Sequence, residues 1–115
     1  ARRLDSMSIS AEAHACALTA SRVLAAAGWP AVHERAIGLA GRLAELLVEH
    51  GREVAPRGDT TLVSFSSADP VAERARLAEH GVIVRNIPGR PWLRASVGAW
   101  NNEDDLDRLL GMLSG

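Results

Sequence analysis

A chain of 115 residues with 47% hydrophobic and 23% charged side chains has the balance of one globular domain with a packed core, which excludes a disordered polymer. Thirteen basic residues stand against 14 acidic ones for a net charge of -1, so the electrostatic footprint of a nucleic-acid or anionic-membrane binder is missing. No apolar run approaches the about 18 residues that a membrane span needs. Aromatic residues are only 3%, and the core must therefore be built from small aliphatic side chains, a composition that favours closely packed helices.

The lone cysteine, Cys16, excludes an internal disulfide and any multi-cysteine zinc or iron-sulfur site, and points to a cytoplasmic protein in which Cys16 is a small buried core residue. All 13 basic residues are arginines; there is no lysine. Chemistry that requires a lysine amine is therefore outside the reach of this chain. Residues 1–10 are too short and polar to form an element of the core, show no hydrophobic signal segment, and are expected to connect to further polypeptide.

In chain order, Ala11 to Ala27 is Ala-rich and nearly apolar all round, which predicts a helix buried on most of its surface, stopped by Gly28. Pro30 suits the first turn of a second helix in which Val32, Ala36, Leu39, Leu43 and Leu46 recur at steps of four and three. It runs to His50, with Gly51 in the C' position. Thr61 to Ser66 is a β-branched and aromatic run that predicts a strand. Asp69-Pro70 opens a short helix ending at His80-Gly81. Val82 to Ile87 reads as a strand, Pro88-Gly89 as a turn, and Trp92 to Val97 as a further strand. Asn101 or Asn102 caps a last helix with Asp104 and Asp105 at its positive end and Leu106, Leu109, Leu110 and Leu113 as its apolar stripe. The sum is an α+β two-layer sandwich: long N-terminal helices, a small and mainly antiparallel sheet, and a C-terminal helix.

Few residues offer chemistry. His14, His33, His50 and His80 show no metal-ligand spacing, and His50 and His80 each precede a helix-ending glycine, where they serve as C-terminal caps. His14 and Cys16 lie two apart on a helix and face different ways, which argues against a dyad or a shared metal. The acidic group Glu103, Asp104, Asp105 and Asp107 is explained by its place at a helix start. Arg94 differs. The period of two puts Leu93, Ala95 and Val97 on one face of their strand and Trp92, Arg94 and Ser96 on the other, so the guanidinium projects from a rigid mount suited to a bidentate grip on a carboxylate. Periodicity alone leaves open a surface arginine or one paired with a neighbouring acid.

Taken whole, Gly81-Val82-Ile83-Val84-Arg85 followed by Leu93-Arg94-Ala95-Ser96-Val97-Gly98-Ala99-Trp100-Asn101-Asn102-Glu103-Asp104-Asp105 resembles the C-terminal small domain of the class V aminotransferase family of pyridoxal-phosphate enzymes. That family includes cysteine desulfurases and carbon-sulfur lyases. Trp100-Asn101-Asn102 stands where the family has Tyr-Asn-Thr. Glu34-Arg35-Ala36 and Thr60 to Phe65 fit the resemblance too, which thus extends over nearly the whole chain. It implies that Arg94 binds the α-carboxylate of an amino-acid substrate, that Arg85 lies near the mouth of the site, that pyridoxal phosphate is held by a large domain not contained here, and that the full enzyme is a homodimer. The family's desulfurases carry a nucleophilic Cys in the loop that is here Asn86 to Pro91, which has none. The resemblance therefore points to a carbon-sulfur lyase acting on a cysteine-type amino acid, with a transaminase or epimerase as alternatives. No residue of this chain is expected to be catalytic, to hold the cofactor or to bind a metal. Without the resemblance, a free-standing α+β ligand-binding or dimerisation module stays open. The two readings differ over the first helix: a domain of a larger enzyme exposes an apolar patch along Ala13, Ala17 and Leu24.

Overall fold

The computed structural model describes residues 10–113; of the connecting segment 1–10, only Ser10 lies among them. Four helices and three strands follow in the order α1 (Ala11–Ala27), α2 (Trp29–Glu49), β1 (Leu62–Ser66), α3 (Pro70–Glu79), β2 (Arg85–Asn86), β3 (Trp92–Ser96) and α4 (Glu103–Leu113). The chain divides into two compact units, Ala1–Val32 and His33–Gly115.

In the first unit, Ser10 caps α1: its hydroxyl accepts from the Ala13 N–H and donates to Glu12, holding the Glu12 carboxyl below the usual carboxylate range. The expectation of a mostly buried helix is overturned, since no residue of α1 is buried. Cys16 is exposed rather than a core residue. The all-round apolar composition is thus not matched by cover. Ala13 and Ala17 are exposed and Leu24 is half-buried.

The second unit holds the core. Ala36, Leu39, Ala40, Leu43 and Leu47 of α2 are buried together with Val63, Phe65, Leu77, Leu93, Ala95, Val97 and the leucines of α4. Leu46 packs against this cluster half-buried. Helices α2 and α3 end alike. Gly51 and Gly81 have φ of 74° and 76°, and the next residues, Arg52 and Val82, donate back to Leu47 and Leu77 in the six-to-one bond of a Schellman turn. His50 and His80 bond through Nδ1 to the carbonyls of Leu46 and Arg76 at 2.8 and 2.9 Å, in the capping role expected of them. Asp69 accepts from the N–H groups of Val71 and Ala72, with Pro70 in the first turn of α3.

The sheet is antiparallel with strand order β1-β3-β2. Residues 53–55 extend it beyond β1, through a bridge from Val54 to Phe65 and bonds from Ala55 N to Ser64 O and from Ser66 N to Glu53 O. The strand expected over Val82 to Ile87 shrinks to Arg85–Asn86. The Schellman turn ties Val82 to the end of α3, and a cleft lined by Ile83, Val84, Ala95 and Ser96 separates residues 82–84 from β3, so no ladder forms there.

Two arginines close the far side of the core. Arg52 forms an ion pair with Glu73 at 2.8 Å and donates to the carbonyls of Ser66 and Leu113. Arg76 donates to the Met112 carbonyl at 2.6 Å. Both satisfy carbonyls in the last turn of α4, where the helix dipole favours positive charge.

Candidate functional site

Strand β3 alternates as its sequence requires: Leu93 and Ala95 are buried, whereas Trp92 and Arg94 are half-buried and Ser96 is exposed. Its position between β1 and β2 gives Leu93 and Arg94 a neighbour on each side. The register pairs Arg94 with Ser64 on β1 and with Arg85 on β2. Directly opposed residues of an antiparallel pair project from the same face, so Ser64, Arg94 and Arg85 form one row across the sheet. Both arginines named from the sequence are therefore brought together, side by side, on the polar face.

Neither guanidinium makes an ion pair or hydrogen bond among the described residues. Like charges opposed across strands disfavour the sheet by a few tenths to about 1 kcal/mol, and here nothing in the described structure offsets that repulsion. Strands β1, β2 and β3 contain no acidic residue. On its β1 side Arg94 lines a cleft of about 190 Å³ with Pro56, Arg57, Thr60, Leu62 and Ser64. Arg57 is partly committed, because its Nη1 donates to the Thr60 carbonyl. The row combines features that suit an anion: a half-buried fork on a stiff strand, a hydroxyl to one side, a second cation to the other, and no carboxylate within the row.

The turn after β3 is built to hold its shape. Arg35 of α2 reaches across to donate to the carbonyls of Ala99 and Asn101 at 2.9 and 3.0 Å. The Asn101 side chain accepts from the Gly98 N–H and donates to Asp105. A Cβ on Gly98 would stand 2.3 Å from the Trp100 ring, so the indole holds its present position only because this residue has no side chain. Asn102 rather than Asn101 is the N-cap of α4. Asp105 is held below the ordinary aspartate range, first by the Asn101 side chain and then by the Asn102 N–H. The acidic start of α4 is thus capping chemistry.

Sequence reasoning missed Arg35 as a tie across the fold, Ser64 as the neighbour of Arg94, and Arg57 as a wall of the cleft. Arg35 lies at a polar position of an amphipathic helix, and its partners are 64 and 66 residues away, so no local pattern marks it. Among the described residues no group of three or more His, Cys, Asp or Glu side chains is placed to hold a metal ion. No single described helix is long and apolar enough to cross a membrane.

No protein-family model matches this sequence, and no curated protein matches it. Solved structures do. A cysteine desulfurase from Thermococcus onnurineus NA1 superposes with a TM-score of 0.72 at 23% identity, over 81% of this chain and 28% of that one. The cysteine desulfurase CsdA from Escherichia coli gives a TM-score of 0.63 at 22% identity, over 70% of this chain and 24% of that one. A protein described as an aminotransferase from Burkholderia pseudomallei K96243 gives 0.58 at 26% identity, over 70% and 24%. The fold is therefore that of a small α+β domain of the class V aminotransferase type, as the sequence resemblance implies. The chain spans about a quarter of the length of the structures it matches.

Proposed function

We propose that this chain is the substrate-orienting small domain of a pyridoxal-phosphate-dependent enzyme of the class V aminotransferase family, and that Arg94 binds the α-carboxylate of its amino-acid substrate. The observation that carries the reading is the unpaired Arg94 fork, half-buried in a cross-strand row with Ser64 and Arg85 that holds no acidic residue. A carboxylate there gains two parallel charge-assisted hydrogen bonds and relieves the repulsion between the guanidiniums.

The cofactor does not fit the residues of this chain. Pyridoxal phosphate, which supplies an electron sink, is anchored through a lysine amine, and the sequence has no lysine; a guanidinium stays protonated and does not replace it. In this reading the cofactor belongs to a lysine-bearing large domain, and this domain orients the substrate. Strand β3 fixes the carboxylate, and with it the direction of the bond to be broken. The turn held by Arg35 keeps the end of β3 in place.

Among reactions we favour cleavage of a carbon-sulfur bond in a cysteine-type amino acid, supported by the loop Asn86 to Pro91, which has no cysteine to accept sulfur. Transamination and epimerisation use the same carboxylate contact. A homodimeric enzyme is part of the same proposal. In the full enzyme, Arg94→Ala is expected to weaken amino-acid binding and leave the visible absorption of the cofactor intact. Unchanged saturation by substrate would remove Arg94 from the site.

A further inference from the structure

Beyond Arg94, strand β3 loses one of its two neighbours. Strand β2 pairs with β3 only at Leu93 and Arg94, and past that point Ala95 and Ser96 line the cleft that separates them from Ile83 and Val84. Strand β1 stays beside β3 as far as Ser96, and the Val97 N–H donates to the Thr61 carbonyl. A strand paired on one side only keeps its direction less firmly than one paired on both, unless its end is tied down elsewhere.

The tie comes from α2. Arg35 donates through Nε to the Ala99 carbonyl and through Nη2 to the Asn101 carbonyl, at 2.9 and 3.0 Å, across 64 and 66 residues of sequence. Trp100 stands between them 81% exposed, so burial of its indole gives the turn little hold and the polar ties decide where the turn stands. A planar guanidinium that meets two carbonyls fixes both the position and the angle of the turn, which a single bond does not. We propose that Arg35 is a positioning residue for the candidate site: by holding the turn it fixes the far end of β3, and with it the direction in which the Arg94 fork meets the α-carboxylate. This rests on the reading of Arg94 as the carboxylate site and adds to it a residue of another element that acts without touching the substrate.

The test uses the full enzyme and two probes followed by titration calorimetry: L-alanine, which carries the α-carboxylate, and ethylamine, which lacks it and is otherwise the same. Arg35→Ala weakens L-alanine about fivefold and leaves ethylamine unchanged. Arg35→Lys, whose single ammonium does not hold both carbonyls in the geometry of the fork, recovers only part of the loss and serves as the test variant if Arg35→Ala does not fold. In an Arg94→Ala background, Arg35→Ala has no further effect on L-alanine, because it acts through Arg94. Unchanged L-alanine binding, equal weakening of both probes, or an undiminished effect in the Arg94→Ala background confines Arg35 to a structural role and overturns the proposal while the Arg94 reading stands. If Arg94→Ala by itself leaves L-alanine binding unchanged, that reading fails and the role of Arg35 fails with it.

Discussion

Asn102 and Asp105 cap each other: the Asn102 Oδ1 accepts from the Asp105 N–H at 3.0 Å, and the Asp105 carboxylate accepts from the Asn102 N–H at 3.2 Å. This is the reciprocal arrangement of a capping box, with Asn and Asp in place of the commoner Ser and Glu. Asp105 also accepts from the Asn101 side chain, which in turn accepts from Gly98 N–H at the end of β3. One carboxylate therefore joins the start of α4 to the turn that follows the candidate binding strand.

Protonating Asp105 should loosen that joint. Its folded-state pKa lies below the ordinary aspartate value of about 3.9, so its contribution to stability is present above that value and is lost as the pH falls through the folded-state pKa. Urea unfolding is expected to show wild type more stable than Asp105→Asn at about pH 6, with the advantage shrinking as the pH falls below the ordinary aspartate value. An advantage that does not change with pH would show that the carboxylate's charge is not what matters.

The Arg52–Glu73 pair is largely shielded, with side-chain exposures of 20% and 13%, and Arg52 also serves two carbonyls. Removing Arg52 leaves Glu73 with only the longer contact to Arg76 at 3.7 Å, so Arg52→Ala is expected to destabilise by about 2 kcal/mol. Part of this is recovered in Arg52→Ala/Glu73→Gln, because the carboxylate that has lost its shorter ion pair is gone. A double-mutant cycle by chemical denaturation measures the coupling.

Phe65 of β1 is fully buried, in the same core cluster as Leu43, Leu47, Leu77 and Leu93. Phe65→Ala is expected to destabilise by about 3–5 kcal/mol, from lost transfer energy plus the cavity left behind. Phe65→Leu should cost less, and thermal or urea unfolding distinguishes the two.

Gly98→Ala forces the Trp100 ring to leave its present position, because the new methyl overlaps the indole. The ring is 81% exposed and can swing into solvent, so the expected penalty is at most about 1 kcal/mol. Tryptophan fluorescence should change with the substitution, and Gly98→Ala/Trp100→Ala should unfold like Trp100→Ala alone. A larger loss would mean that the backbone of the turn, rather than the ring, gives way.

Most of the architecture could be read from the chain because its signals are local. The steps of three and four from Ala36 to Leu43, Pro70 behind Asp69, and Gly51 and Gly81 behind their histidines act over a turn or two of backbone, where sterics and hydrogen bonding decide the outcome. The alternation of β3 placed Arg94 on the polar face for the same reason. Where cover by other segments was needed, local pattern was a poor guide: α1 and Cys16 read as buried and are not, and the apolar run from Val82 to Val84 never joins the ladder.

The sequence by itself determined most of the elements, which face of α2, β3 and α4 is apolar, and that Arg94 stands on the polar face of β3. Only the tertiary structure decided that Arg85 stands directly opposite Arg94, that Ser64 flanks it, and that Arg35 ties the turn beyond it. Strand register and long-range hydrogen bonds depend on how separate segments pack, and no periodicity within one segment encodes the position of another.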